Sequence, residues 1–150
     1  MKLTVDANIW VGALDVNDPV CETCRACLVK AAEKSARLYS PVLLPVEVAA
    51  TIGRKTRNTR QGQLAAAWVR NFVGHVWQPL TEESSAEAER VATTLYLRGA
   101  DAIYVAVARL SDAVLLTYDA EVIERAAKTV CVMTPDDWLS VIGRQRGMKR

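Results

Sequence analysis

Apolar residues recur along the chain with two different periods. Short apolar runs of strand length stand at residues 3–5, 38–40, 76–78, 114–117 and 130–133. Between them an apolar residue returns every three or four positions, the spacing that gives a helix one buried face. Leu64, Trp68 and Phe72 mark one such stripe, Ala88, Val91, Ala92, Leu95 and Tyr96 a second, and Ile103, Ala106, Val107 and Leu110 a third. All three are expected to face the core. Thr81 or Ser84 suits the N-cap of the second helix, with Ser84 and Glu87 spaced as a capping box, and Pro135 suits the first turn of a last helix carrying Trp138 and Val141. Strands separated by helices pair in parallel only through crossovers. The predicted fold class is therefore α/β, a three-layer arrangement in which helices cover both faces of a central parallel sheet of about five strands.

A chain of 150 residues is long enough for one domain with its own core and too short for two comfortable ones. No repeat, low-complexity tract or linker divides it, so residues 1–150 are read as one domain. A content of 51% hydrophobic and 24% charged residues excludes both disorder and a disulfide-stapled miniprotein. No apolar stretch has the length a bilayer span needs, and the opening residues reach Asp6 too early for a signal peptide. No membrane association and a cytoplasmic location are the expectation.

The formal charge of +2 is too small to announce a nucleic-acid binder, so its distribution matters more than its total. Arg54, Lys55, Arg57 and Arg60 form one basic cluster, and Arg144, Arg146, Lys149 and Arg150 another. Either suits phosphate, or equally a solvated loop and tail. Cys21, Cys24 and Cys27 are spaced as metal ligands with Cys131 as a distant fourth, but a Gly- and Pro-free segment with thiols every third residue sets them along one side of a helix, as buried free thiols. The one histidine, His75, opens a strand far from any other candidate chemistry and is read as structural. Trp10 is read as core, with stacking on a base as the alternative.

The most informative residues are four acids standing alone in apolar surroundings. Glu47 is the only charge between Arg37 and Arg54, and in a helix it shares a face with Leu44, Val48 and Thr51. Asp101 opens a run uncharged until Arg109, Asp6 follows Leu3-Thr4-Val5, and Asp119 ends the uncharged stretch 113–118. An ionised carboxylate leaves water only at a large cost unless a cation or hydrogen bonds compensate. Asp6 and Asp119 fall where two parallel strands end, the side on which open α/β sheets bind ligands. Clustered carboxylates raise one another's proton affinity, which a divalent cation reverses, and all-oxygen ligation selects Mg2+ or Mn2+. Singly, each acid also has a structural reading: a helix start for Asp101 and Asp119, a strand end for Asp6, an arginine partner for Glu47. The conjunction of the four is what points to a site.

Val5-Asp6-Ala7-Asn8, Pro45-Val46-Glu47-Val48, the run from Arg98 to Ala106 and Leu116-Thr117-Tyr118-Asp119 together resemble the PIN-domain family, particularly its short VapC-type toxins. The resemblance implies a PIN-like three-layer fold and a Mg2+- or Mn2+-dependent endoribonuclease. Asp6, Asp101 and Asp119 would be ligands, and Glu47 would hold a second ion or position water. Asn8 and Thr117 would be supporting polar residues, and Arg98 would join Arg54, Lys55, Arg57 and Arg60 as possible RNA contacts. It further implies a homodimer and, for a toxin, a cognate antitoxin. Two other readings compete: a non-catalytic RNA-binding or scaffolding PIN domain, and a phosphate-transfer domain with a nucleophilic aspartate after its first strand. For the dehalogenase version of the latter, Asn8 stands where a second acid is wanted.

Overall fold

The computed structural model describes the backbone of residues 1–147 and the side chains of residues 1–144. The side chain of Arg146, and Lys149 and Arg150 of the basic tail, therefore lie outside the described residues. From β1 (Lys2–Val5) the chain runs through α1 (Ala7–Leu14) and α2 (Cys21–Glu33) to β2 (Arg37–Pro41), then through α3 (Leu44–Thr56) and α4 (Thr59–Asn71) to β3 (His75–Gln78). It continues through α5 (Glu82–Leu95) and α6 (Gly99–Ser111) to β4 (Val114–Leu116), through α7 (Ala120–Ala126) to β5 (Val132–Met133), and into α8 (Pro135–Gly147). The sheet order is β3-β2-β1-β4-β5, with every pairing parallel. The α/β class and the five parallel strands are as expected from the apolar pattern.

This order positions the site. Right-handed crossovers send α1–α4 to one face of the sheet and α5–α7 to the other, and α6 packs against β1, β2 and β4. The chain leaving β1 and the chain leaving β4 thus turn to opposite faces, which opens a crevice beyond their carboxyl ends. Both strands are central and covered on both sides, so Leu3, Val5, Leu115 and Leu116 are all fully buried.

Four helix expectations need correction. α4 does not turn Leu64 and Trp68 to the core: Leu64 is 59% and Trp68 38% exposed, while Gly62, Ala65 and Val69 are the buried residues. The reason is close packing on α3. A Cβ placed on Gly62 would stand 2.7 Å from the Ala49 carbonyl oxygen, so the small-residue side of α4 is the one that lets the two helices approach, and the larger side chains are left at the rim. Phe72 remains packed against the core. Tyr96 and Leu110 also lie outside the stripes assigned to them. Tyr96 is the left-handed C-cap of α5, Leu110 sits in the last turn of α6, and both are exposed. The cap of α5 is Thr81, and the box pairs it with Ser84. The Ser84–Glu87 alternative does not form because Glu87 lies a turn further in, paired with Arg90 and Arg109.

Cys21, Cys24 and Cys27 lie buried along α2, and burial pushes the thiols of Cys24 and Cys27 up to about 12. Among the described residues these thiols belong to no group of three side chains placed to hold an ion, and Cys131 is exposed where the other three are buried. His75 bridges Ser40 Oγ at 2.8 Å and the Val69 carbonyl at 2.9 Å. The carbonyl can only accept, so Nε2 carries the proton and Nδ1 accepts from Ser40. Burial lowers its proton affinity and keeps the ring neutral, in accord with a structural role. No helix among the described residues is long and apolar enough to cross a membrane.

Candidate functional site

The crevice beyond β1 and β4 holds a cavity of about 370 Å³ whose lining includes Asp6, Glu47, Asp101 and Asp119. Four acids distant in sequence therefore face one space. A larger cavity of about 760 Å³, lined by Leu14, Val16, Leu64 and Trp68 among others, contains none of them.

Asp6 is placed by the register of β1 on β4. Val5 stands opposite Leu116, the Asp6 N–H donates to the Leu116 carbonyl at 3.0 Å, and the Asp6 side chain consequently meets Thr117. The Thr117 hydroxyl donates to Asp6 Oδ2 at 2.6 Å and accepts from Asn8 Nδ2 and from the Asp119 N–H, both at 3.0 Å. That uses the full hydrogen-bonding capacity of a hydroxyl. Asn8 also donates to Asp6 Oδ2 at 3.0 Å, and its own oxygen accepts from the Tyr118 N–H at 3.4 Å. Asn8 and Thr117 thus tie the two strand ends together around one carboxylate.

Glu47 is half-buried in the first turn of α3, and the buried Tyr104 hydroxyl donates to its Oε2 at 2.6 Å. Sequence reasoning did not assign Tyr104 a role; the available signal was its position three residues after Asp101 on the same helix, hence on the same face. Asp101 occupies the first turn of α6, where the helix dipole favours an anion. Asp119 is the N-cap of α7, its Oδ1 accepting from the N–H groups of Glu121 and Val122. The helix-start readings of Asp101 and Asp119 are therefore true as well, and for Asp119 one oxygen is fully used by the cap.

Arg98, the N-cap residue of α6, lies across these two acids. Its Nε donates to Asp101 Oδ2 at 2.9 Å and its second guanidinium nitrogen to Asp119 Oδ2 at 3.1 Å. Its side chain is 71% exposed. Of the other basic candidates, Lys55 lines the cavity and pairs with Asp15 at 3.0 Å. Arg54, Arg57 and Arg60 are exposed and do not line it. Asp18 also lines the cavity, and nothing in the sequence set it apart from an ordinary turn residue.

The electrostatics follow from this crowding. Burial pushes the Asp6 carboxyl up to about 6, with Asp101 and Glu47 adding to the rise and Thr117 and Asn8 opposing it. Burial also raises Glu47, where Asp101 adds and the Tyr104 hydrogen bond opposes. Asp101 is raised chiefly by burial and partly held down by Arg98. Among the described residues no three His, Cys, Asp or Glu side chains converge closely enough to hold an ion as they stand. The donors facing the cavity are nonetheless carboxylate oxygens, the set suited to a hard divalent cation, and mutual repulsion is what such an ion would relieve.

Fold and sequence together define the class. The PIN domain family model matches residues 3–129, and the chain belongs to the PIN-domain family. Its fold is shared with solved structures. VapBC2 from Rickettsia felis, bound to a DNA fragment from its promoter, matches with a TM-score of 0.68 at 14% identity over 89% of this chain and 98% of that one. VapC20 from Mycobacterium tuberculosis, a Sarcin-Ricin loop cleaving toxin, matches at 0.68 and 17% identity over 85% and 95%. PAE2754 from Pyrobaculum aerophilum matches at 0.67 and 22% over 96% and 99%. No curated protein matches the sequence.

Proposed function

We propose that the chain is a single PIN domain acting as a Mg2+- or Mn2+-dependent endoribonuclease, the toxin of a type II toxin–antitoxin pair. The observation carrying this reading is the convergence of Asp6, Glu47, Asp101 and Asp119 on one cavity at the switch point of the sheet. Membership of the PIN-domain family and the fold shared with VapC-type structures support it. The toxin role brings with it an RNA substrate, a cognate antitoxin, a homodimer and a cytoplasmic location.

Asp6, Asp101 and Asp119 would hold the cation. When bound, such an ion supplies an acidified water and neutralises charge at the scissile phosphate and the departing oxygen. Asn8 and Thr117 fix the Asp6 carboxylate by occupying Oδ2. Tyr104 occupies Glu47 Oε2, and Oε1 is left to accept from the attacking water and orient it, or to share in a second ion. Arg98 and Lys55 provide positive charge at the rim for phosphates, with Arg54, Arg57 and Arg60 exposed around the α3–α4 turn.

The test is cleavage of RNA by the purified protein with Mg2+ or Mn2+, followed by end sequencing, with EDTA and Asp101→Asn as controls. Scission that requires the ion and is lost in the variant is the expected result. Undiminished binding to RNA without scission would instead establish the scaffolding reading.

Tyr104→Phe tests the positioning of Glu47. Removing the hydroxyl frees Glu47 Oε2 without touching the cavity floor, so cleavage is expected to slow about 10- to 100-fold, as for loss of an outer-shell partner. RNA affinity should be unchanged. Single-turnover rates measured beside filter binding separate the two, and a rate within about twofold of wild type would show that Glu47 works without Tyr104.

A further inference from the structure

We infer that Arg98 is a tethered counter-ion that competes with the divalent cation for Asp101 and Asp119, so that metal binding requires the guanidinium to be displaced. The inference deepens the nuclease reading and rests on it. Three observations carry it. First, a single guanidinium bridges two of the three acids assigned as ligands, at 2.9 and 3.1 Å. Second, the oxygens are spoken for: Asp119 Oδ1 caps α7 and its Oδ2 meets Arg98, so Asp119 has no carboxylate oxygen outside these bonds unless Arg98 lets go. Third, the Arg98 side chain is 71% exposed, so it can leave by rotating into solvent without disturbing the core.

The arrangement accounts for the acids not converging as they stand. Asp101 and Asp119 are drawn to the arginine, while Asp6 and Glu47 are held from the other side by Thr117, Asn8 and Tyr104. An arginine that only stabilised α6 would need one carboxylate, Asp101, three residues on. The second bond, to Asp119 twenty-one residues away, ties the start of α6 to the start of α7 at the cavity rim. Once displaced, the guanidinium remains tethered at the cavity rim, where a phosphate of the substrate is its natural new partner.

The experiment measures Mn2+ alone, by electron paramagnetic resonance of the free ion, titrated into the full chain and into Arg98→Gln and Arg98→Lys. Circular dichroism melts confirm that each variant is folded. Arg98→Gln is expected to bind Mn2+ about tenfold more tightly, the weight of one positive charge beside a divalent ion in a solvent-screened site. Arg98→Lys, which keeps the charge but not the fork, should fall between. With RNA present the order should reverse, Arg98→Gln binding the substrate less well. Wild type that binds Mn2+ with Arg98→Gln binding equally or more weakly would overturn the inference, since Arg98 would then be orienting the ligands. Binding to neither would overturn the metal site itself and this inference with it.

Discussion

Asp6→Asn is expected to stabilise the protein at neutral pH while abolishing ion-dependent cleavage. Asp6 is 8% exposed, and its folded-state pKa of about 6 lies above the ordinary 3.8. The folded state therefore holds the proton more tightly than the unfolded chain. Stability is fully present below the unfolded value, falls as pH rises from about 4 through about 6, and above that the whole penalty of the buried charge is carried. A rise of this size corresponds to roughly 2–3 kcal/mol. Asparagine is uncharged at every pH and keeps a carbonyl oxygen to accept from Thr117 Oγ1 and Asn8 Nδ2. In chelator at pH 8 the variant should melt higher than wild type by roughly 4–12 °C, and at pH 4 the difference should nearly vanish. Cleavage should fall by on the order of a hundredfold or more. A variant less stable than wild type at pH 8 would show that Asp6 carries no penalty for a cation to relieve.

That opposition of stability and function is also why the acids were legible before any coordinates. A carboxylate without a charged neighbour in an apolar run is costly wherever that run is buried, so Asp6, Glu47, Asp101 and Asp119 stand out together by their isolation. The sheet was legible for a related reason: buried parallel strands read as short continuous apolar runs, and Val114 to Leu116 has no polar residue to disguise it while Leu3 to Val5 carries only the buried Thr4. What could not be read was anything decided by contacts between distant segments. Arg98 and Asp101 are visibly three residues apart, but the bond from Arg98 to Asp119 exists only because β4 runs back along α6. Tyr104 meets Glu47 across fifty-seven positions. The orientation of α4 failed for a further reason. Period alone gives the large residues the buried face, whereas the close approach of Gly62 to Ala49 makes small residues the contact.

Trp10 shows how the core sets the site. It is fully buried, its Nε1 donates to the Val5 carbonyl at 3.3 Å, and its ring lies 5.4 Å from His75, 5.5 Å from Trp68 and 5.1 Å from Phe72. A residue with no exposed surface cannot stack on a base, so the core reading holds and the effect of removing it is one of stability. Trp10→Ala should cost roughly 3–5 kcal/mol, the range for deleting a large buried aromatic, and lower the melting midpoint by roughly 6–20 °C. α1 carries both Trp10 and Asn8, so a cavity under the helix loosens the residue that fixes Asp6, and cleavage should decline in the fraction that stays folded. Trp10→Phe keeps most of the contact and loses the N–H, at a smaller cost of roughly 1–2 kcal/mol. Measured in parallel, RNA affinity of the folded Trp10→Phe protein should equal that of wild type. A fall in affinity with the melting midpoint unchanged would make Trp10 a base-stacking residue, and would require a state of α1 in which its ring leaves the aromatic cluster.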